Sequence, residues 1–587
     1  MRWVAIANRA FLSSIIDVIV ITSIPLVLLL LNNTWIYPKY SNIDEWMYVG
    51  YGYNYFDPAF YTANYKISRL PWVLTEALVR GSFPPLLSSW ILGFGVLALG
   101  NIALYFALRI SFGRLPALFA GIFTAGLTFM HANGGADYHN TLAGAFYCIA
   151  MLYCAECARR QSALRDLVFF GACIALSVHT NQLFINLVPI LFGQYMLCYR
   201  VNHLKFPPLI AATFAMTVGA VGVTVLLGFI NLSFGRQFLF FNEQLRLVSS
   251  FLADSSLQKG WWEPWSSFWF LNIQYMGIFF AATLLSLTTL LIAIPLRLKS
   301  ASHAYATIFS GAYLCSILIW VFWQSMGQTA LEPRYFAFPL GFPLAGAFAA
   351  AISTVVTREV KPIFIGVGAA GFAAATIAAV HDVNFVNSLI GAFSDRLGLR
   401  VAAAFSIAFA ILILIRWSLW FAPIAGLALC AANALAVFVR TDYAASSCDM
   451  NQNAYELIVD ASRLLHKTGV PGTKIFVFSD YGAEVKASPA CSERHVPLGW
   501  LQDAIGATGF ENVDSYWNNR TVETVEPERW SQIVTSGRII GFLTYDSTRV
   551  SVLRDRLEAA GGKTGEARLF TFREGDMELP LYLLPLT

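Results

Sequence analysis

Charge is scarce in this chain: Asp, Glu, Lys and Arg make up 13% of 587 residues, against 57% hydrophobic and 15% aromatic content. So thin a polar coat cannot cover a water-soluble globule of this length, and the composition is that of a polytopic membrane protein. The basic residues are scattered and the net charge is only +4, so there is no stripe for nucleic acid to bind. The sequence has no phosphate-binding Gly-Lys loop, which removes an ATP-driven pump built from this chain alone. It also lacks the Cys/His spacing of a structural zinc site, any low-complexity tract and any internal repeat. Of nine cysteines, seven fall in or beside apolar runs, leaving Cys448 and Cys491 in the more polar C-terminal region.

What the sequence has is apolar runs. Taking stretches of roughly 17 to 24 residues as spans, about thirteen are expected, centred near Ile21, Leu97, Ile122, Ala150, Ala172, Ile190, Val218, Leu285, Ile317, Ala345, Ala370, Ile407 and Leu429. The run from Leu12 to Leu31 is longer than a secretory core and has no small-residue cleavage site behind it, so it reads as a retained first span. Lys and Arg collect in alternate links: Arg2 and Arg9, Arg109 and Arg114, Arg159, Arg160 and Arg165, Arg200 and Lys205, Arg297 and Lys299, Arg358 and Lys361, and Arg416. That places the N-terminus in the cytoplasm. The longer segments, from Asn32 to Pro85, from Asn231 to Gln274 and after Arg440, fall on the opposite side. Asp17, inside the first span, lies near the Arg2 and Arg9 end; snorkelling or pairing with a neighbouring helix is the expectation.

After Arg440 amphipathic helical patterns (Ala454 to His466, Arg549 to Ala560) alternate with short β-rich runs (Lys474 to Ser479, Ile539 to Tyr545, Arg568 to Phe572). The expected architecture is therefore a polytopic α-helical membrane domain over residues 1–440, followed by an extracytoplasmic α/β domain over residues 441–587. In an oxidising compartment Cys448 and Cys491 would either pair, for roughly 4 kcal/mol by the chain-entropy model, or stand as two free thiols.

The large loops all face away from the cytoplasm, where nucleotide-activated donors are normally absent. Chemistry there needs a donor carried by a lipid. An acidic pair, Asp44-Glu45, stands within Ile43-Asp44-Glu45-Trp46 behind the first span; basic residues follow in Tyr65-Lys66-Ile67-Ser68-Arg69, and Glu332-Pro333-Arg334-Tyr335 precedes Pro339 and Pro343 at the mouth of a later span. In order and sidedness this set resembles the GT-C glycosyltransferases that use polyprenyl-phosphate sugars, in the bacterial branch related to protein O-mannosyltransferases and the lipid A aminoarabinose transferase. The resemblance covers the membrane half. It implies a GT-C-like fold in a bacterial cytoplasmic (inner) membrane, a polyprenyl-phosphate-linked sugar donor, a lipid or glycan acceptor, and a catalytic base at Asp44.

The chemistry agrees with that role. A sugar on a lipid phosphate already carries a good leaving group, so a base is needed and a general acid is not. Asp44 would take the proton of an acceptor hydroxyl as it attacks the anomeric carbon opposite the phosphate, inverting the configuration; the alternative is a solvated acid at the start of an interfacial helix. Glu45 sits about 100° from Asp44 on a helix and is read as supporting rather than reacting. Departing phosphate charge calls for cations: Arg334, or Lys66 and Arg69 spaced i, i+3, with headgroup contact or an Arg334–Glu332 pair as the plainer alternatives. Tyr335, Glu332 and Tyr48 are read as substrate contacts.

Within His131-Ala-Asn-Gly-Gly-Ala-Asp-Tyr-His139, the residues Asp137, His131 and His139 offer oxygen and nitrogen donors for Mg, Mn or Zn, although loop histidines are more often packed or solvated. No cofactor is certain. Trp261, Trp262, Trp265, Phe268, Trp269 and Phe270 read as interfacial anchors before sugar-stacking or lid residues, and His179-Thr180-Asn181-Gln182 as a polar hairpin before a donor-pocket element. The rival class, a transporter or flippase of a lipid-linked glycan, would put charges near mid-span and often shows inverted repeats; both are wanting. A silent scaffold remains a third reading.

Overall fold

The computed structural model describes residues 2–31, 36–37, 43–56, 65–126, 138–160, 164–253, 273–298, 300–325, 333–356, 450–468, 474–480, 483–484, 498–509, 522, 525, 527–575 and 577–586. The membrane half opens with α1 (Arg2–Leu31), the short α2 (Ile43–Asn54), a 3-10 turn at Tyr65–Ser68, and α3 (Leu70–Ser82). Pro71 and Pro85 begin α3 and α4 (Pro85–Phe112), positions where a missing N–H costs nothing. Gly113, at φ +82°, turns the chain into α5 (Arg114–Ala125), a conformation that favours glycine. Then follow α6 (Tyr138–Arg159), α7 (Leu164–Thr180), α8 (Val188–His203), α9 (Leu209–Ser233), α10 (Asn242–Ala253), α11 (Ile273–Leu296), α12 (Ala301–Ser325) and α13 (Pro333–Val356).

Ten of the expected span centres, Ile21 to Ala345, fall inside these helices. Those at Ala370, Ile407 and Leu429 lie outside the described residues, as do Cys448, Cys491 and the aromatic residues from Trp261 to Phe270. Among the described residues, five helices are long and apolar enough to cross a membrane: Pro85–Phe112, His139–Arg159, Gln182–His203, Leu209–Ser233 and Ala301–Trp323. Helix α9 shows what surrounds them. Its large side chains Ile210, Phe214, Val218, Val221, Val225 and Phe229 are exposed, while Ala212, Ala215 and Gly219 are buried. Apolar outside and small inside is the arrangement of a helix whose solvent is hydrocarbon.

The small face of α9 meets α7 closely. A Cβ at Gly219 would stand 1.9 Å from the Val168 carbonyl oxygen, and one at Gly171 would stand 2.0 Å from that of Met216. Asp17 proves to be paired: Arg114 donates to both of its oxygens, at 2.7 and 2.8 Å, and the Tyr105 hydroxyl donates at 2.6 Å. The carboxylate is buried while Arg114 keeps half its side chain exposed, so the helices share one charge pair at the end where basic residues cluster.

The C-terminal residues form an α/β unit: α14 (Met450–Thr468), β1 (Lys474–Ser479), α15 (Leu498–Gly509), α16 (Pro527–Ser536), β2 (Gly537–Leu543), α17 (Ser547–Ala559), β3 (Arg568–Glu574) and β4 (Met577–Pro585). The sheet runs β1-β2-β4-β3, with β1 parallel to β2 and the other pairs antiparallel. One face carries Ile475, Val477, Leu579, Leu581 and Leu583 against α14 and α15; the other carries Phe476, Ile540 and Phe542 against α16 and α17.

The α7–α9 crossing yields a stability prediction. Gly219→Val or Gly171→Val must push the two helices apart, at an expected cost of about 3 kcal/mol. The measurement is the melting midpoint of the purified protein in detergent; a midpoint within a degree of the parent for both variants would mean that this contact is not tight.

Candidate active site

Helix α2 carries Asp44 and has two dissimilar faces. Residues 44, 47, 48 and 51 recur at three and four positions and share one side; 46, 49 and 53 lie opposite. On the first side Tyr48 and Tyr51 are buried in a cluster with Tyr55, with Leu70, Trp72 and Val73 of α3, Leu92 and Val96 of α4, and Leu142 of α6. On the second, Trp46 and Val49 are buried in a different cluster, shared with Tyr455, Ile458 and Leu465 of α14 and Leu498 and Leu501 of α15. Helix α2 is thus the wall between the core of the membrane half and the core of the C-terminal unit.

The basic residues of the next segment close on the Asp44 side. Lys66 in the 3-10 turn is buried and reaches Met47 Sδ at 3.7 Å. Arg69, which caps α3, contacts His139 Nε2 through Nη1 and lies 5.8 Å from the centre of the Tyr48 ring. The His139 ring is itself 5.3 Å from Tyr48. A guanidinium only donates, so Nε2 is the accepting side of this contact. The i, i+3 pair Lys66 and Arg69 therefore turns inward to α2 rather than outward to headgroups. Among the described residues no group of three or more His, Cys, Asp or Glu is placed to hold a metal.

The flank of α2 is fixed by a buried ion pair on α3. Arg80 donates to Glu76 Oε1 from Nη2 at 3.1 Å and Nε at 3.4 Å, and to the Tyr455 hydroxyl from Nη1 at 2.6 Å. Gly52 permits this approach, since a Cβ there would lie 2.9 Å from Glu76 Cβ and 3.0 Å from Arg80 Cδ. Beyond the C-terminus of α2, Arg236 stacks over Tyr55 with 4.1 Å from Cζ to the ring centre and donates to the Tyr55 carbonyl at 2.6 Å. The Tyr55 hydroxyl donates to Asn231 Oδ1 at 3.0 Å, and Asn231 Nδ2 donates to the Gln237 carbonyl at 2.7 Å.

Of the residues singled out from sequence, the structure brings Tyr48, Lys66, Arg69 and His139 together and buries Glu45 on α2. Asp44 holds the second position of α2, and Arg334 and Tyr335 the second and third of α13, but their side chains lie outside the described structure. Asp137, His131 and Glu332 lie outside the described residues altogether. At the hairpin, Asn181 Oδ1 accepts from the Leu183 amide at 3.0 Å, its Nδ2 contacts Asn140 Oδ1, and Gln182 donates to Gln244 at 2.8 Å. Sequence reasoning passed over Glu76, Arg80, Tyr455 and Arg236. The i, i+4 spacing of Glu76 and Arg80 was a visible signal; Tyr455, 375 positions from Arg80, had none.

Glu76 carries a pH signature. Burial raises its carboxyl to about 7, with Arg80 opposing, and its Oε2 finds no hydrogen-bond partner among the described residues. Between an unfolded value near 4.5 and that folded value, the native state holds the extra proton. The stabilisation is complete below pH 4.5 and is lost as pH rises through about 7. Its size is on the order of 3 kcal/mol. Glu76→Gln should flatten the melting midpoint across that window; an unchanged slope would place the carboxyl at its ordinary value.

No family model matches the chain and no curated protein matches it. Solved structures similar to it include ArnT from Cupriavidus metallidurans bound to undecaprenyl phosphate, at 14% identity and a TM-score of 0.48 over 96% of this chain and 97% of that one. Its apo state gives 14% and 0.46 over 92% and 93%. The archaeal oligosaccharyltransferase AglB from Archaeoglobus fulgidus, in complex with an inhibitory peptide and a dolichol-phosphate, gives 12% and 0.38 over 96% of this chain and 74% of that one.

Proposed function

We propose that this protein is a membrane glycosyltransferase that moves a sugar from a polyprenyl phosphate to a lipid or glycan acceptor at the extracytoplasmic face of a bacterial cytoplasmic membrane. The observation that carries this reading is the convergence on one face of α2. Its first turn supplies Asp44, and Lys66, Arg69 and His139, from two other segments, meet the residues that follow on that side, Met47 and Tyr48. Two cations among buried aromatic residues, on the side of α2 to which helical spacing assigns position 44, supply what transfer from a lipid phosphate calls for.

The reaction then runs as a single displacement. Asp44 accepts the proton of the acceptor hydroxyl, and the oxygen attacks the anomeric carbon. The bond from that carbon to the phosphate oxygen breaks on the opposite side, its electron pair leaves with the phosphate, and the sugar inverts. Lys66 and Arg69, with Arg334 as a third candidate, stabilise the departing charge where water is excluded and electrostatic contacts count most. His139 holds Arg69 by accepting from its guanidinium, and Glu45, Tyr48, Glu332 and Tyr335 are assigned to shaping the substrate site. The C-terminal α/β unit lies on the same side as the donor headgroup.

Reconstitution in vesicles with a panel of polyprenyl-phosphate sugars is the direct test. Asp44→Asn should lower transfer on the order of 10³-fold with an unchanged melting midpoint. Arg69→Ala should lower kcat/KM roughly 10²-fold. Transfer by Asp44→Asn at the parent rate removes the base, and failure of the parent with every donor, alongside movement of the lipid-linked sugar across the bilayer, returns the case to a flippase.

A further inference from the structure

Helix α2 is poorly suited to hold itself in place. It has 12 residues, including Gly50 and Gly52, and a helix this short is marginal in isolation even with the best helix formers. Its position must therefore come from what packs on it. The membrane half supplies one face; the other belongs to the C-terminal unit.

That second face is gripped at two levels along α14. At the first, Tyr455 is fully buried with its ring 5.6 Å from Trp46, stacked at 28°, and 5.5 Å from Tyr37. At the second, eight residues on, Arg463 lies over the ring of Tyr53 with 5.0 Å from Cζ to its centre. Trp46 and Tyr53 are seven residues apart on α2, so both rungs span two helical turns and the helices are matched along their length. The hydroxyl of Tyr455 adds direction to the apolar contact. It accepts from Arg80 Nη1 at 2.6 Å and donates to the Pro85 carbonyl at 3.5 Å, so it is tied to α3 and to the start of α4. Arg80 in turn lies 5.7 Å from the centre of the Tyr53 ring. One side chain of the C-terminal unit thus touches α2 and two other elements that frame the candidate site.

We infer that Tyr455 is a positioning residue for the reaction, setting the placement of α2, and with it of Asp44, from behind through Trp46 and through Arg80. The inference rests on the proposed transferase reading. It assigns the C-terminal unit a part in transfer that involves no contact with the reacting atoms. A group placed through α2 acts on the alignment of the base with the acceptor hydroxyl, so its loss falls on kcat and spares donor affinity.

The test uses the full-length protein with two readouts. Tyr455→Phe keeps the ring and deletes the hydroxyl; Tyr455→Ala deletes both, and Arg463→Ala removes the second rung. In backbone hydrogen exchange, Tyr455→Phe should raise exchange of residues 43–56 by roughly tenfold while α6 to α9 stay at the parent rate. With the donor that the parent enzyme uses, kcat should fall about tenfold with the donor KM within about twofold, and Tyr455→Ala should deepen both effects. Unchanged exchange at residues 43–56 in Tyr455→Phe and Tyr455→Ala overturns the inference whether or not any donor is turned over. So does a loss of activity that merely follows the fraction of folded protein. Absence of turnover in the parent sinks the transferase reading instead, and the exchange measurement still decides whether Tyr455 holds α2.

Discussion

The constraint on which this structure turns is the double burial of α2. This element of 12 residues belongs to two hydrophobic cores at once because its aromatic residues are divided between its faces: Tyr48 and Tyr51 on one, Trp46 on the other. Burying a large aromatic side chain is worth roughly 1.5–3 kcal/mol. The three rings together outweigh what two glycines cost the helix, about 1 kcal/mol each relative to alanine. The position of Asp44 is thus a consequence of packing. Its acid stands at the mouth of a helix that cannot be moved without opening one core or the other.

Charge inside this protein is handled by pairing across elements, and the two ends of the membrane half do it differently. Asp17 and Arg114 form a bidentate pair with the arginine half-exposed, so the guanidinium keeps water while the carboxylate keeps its partner. Glu76 and Arg80 have both side chains at 0% exposure, and among the described residues only one carboxylate oxygen is satisfied. A pair of the second sort gains little net stability, because desolvation consumes most of the Coulomb attraction. What it supplies is registration: Arg80 ties α3 to Glu76 and Tyr455 and faces Tyr53 and Gly52 of α2. Placing a half-satisfied pair beside the candidate site, where an apolar pair would be more stable, fits a requirement for geometry over stability.

Much of this was legible in the sequence, and the exceptions have physical causes. Apolar runs fixed the span centres from Ile21 to Ala345 because a helix in hydrocarbon must satisfy its backbone internally, which leaves a strong compositional mark. In the C-terminal unit, β1, β2, β3, α14 and α17 follow their alternating or helical patterns. Helix α15 escaped notice because Gly499, Gly506 and Gly509 dilute its helical signal. Strand β4 escaped because Pro580 and Pro585 argue against a strand with neighbours on both sides. The register shows how it is allowed: β2 pairs with β4 only from Leu581 to Pro585, so Pro580 faces Thr571 of β3 on one side and has passed the end of β2 on the other.

The candidate site was half-legible for a related reason. Local spacing put Lys66 and Arg69 on one side of a turn, and the structure keeps them together there, both directed at α2. Their companions came from far away in sequence: His139 is 70 positions from Arg69, and Asn231 is 176 from Tyr55. Nothing in periodicity encodes such meetings. Asn231 is buried and spends its amide on Tyr55 and Gln237. A polar side chain held that firmly next to Arg236 and the end of α2 belongs to the scaffold of the site, and the same argument applies to Tyr455. In both, a residue remote in sequence fixes one end of the helix that carries the acid.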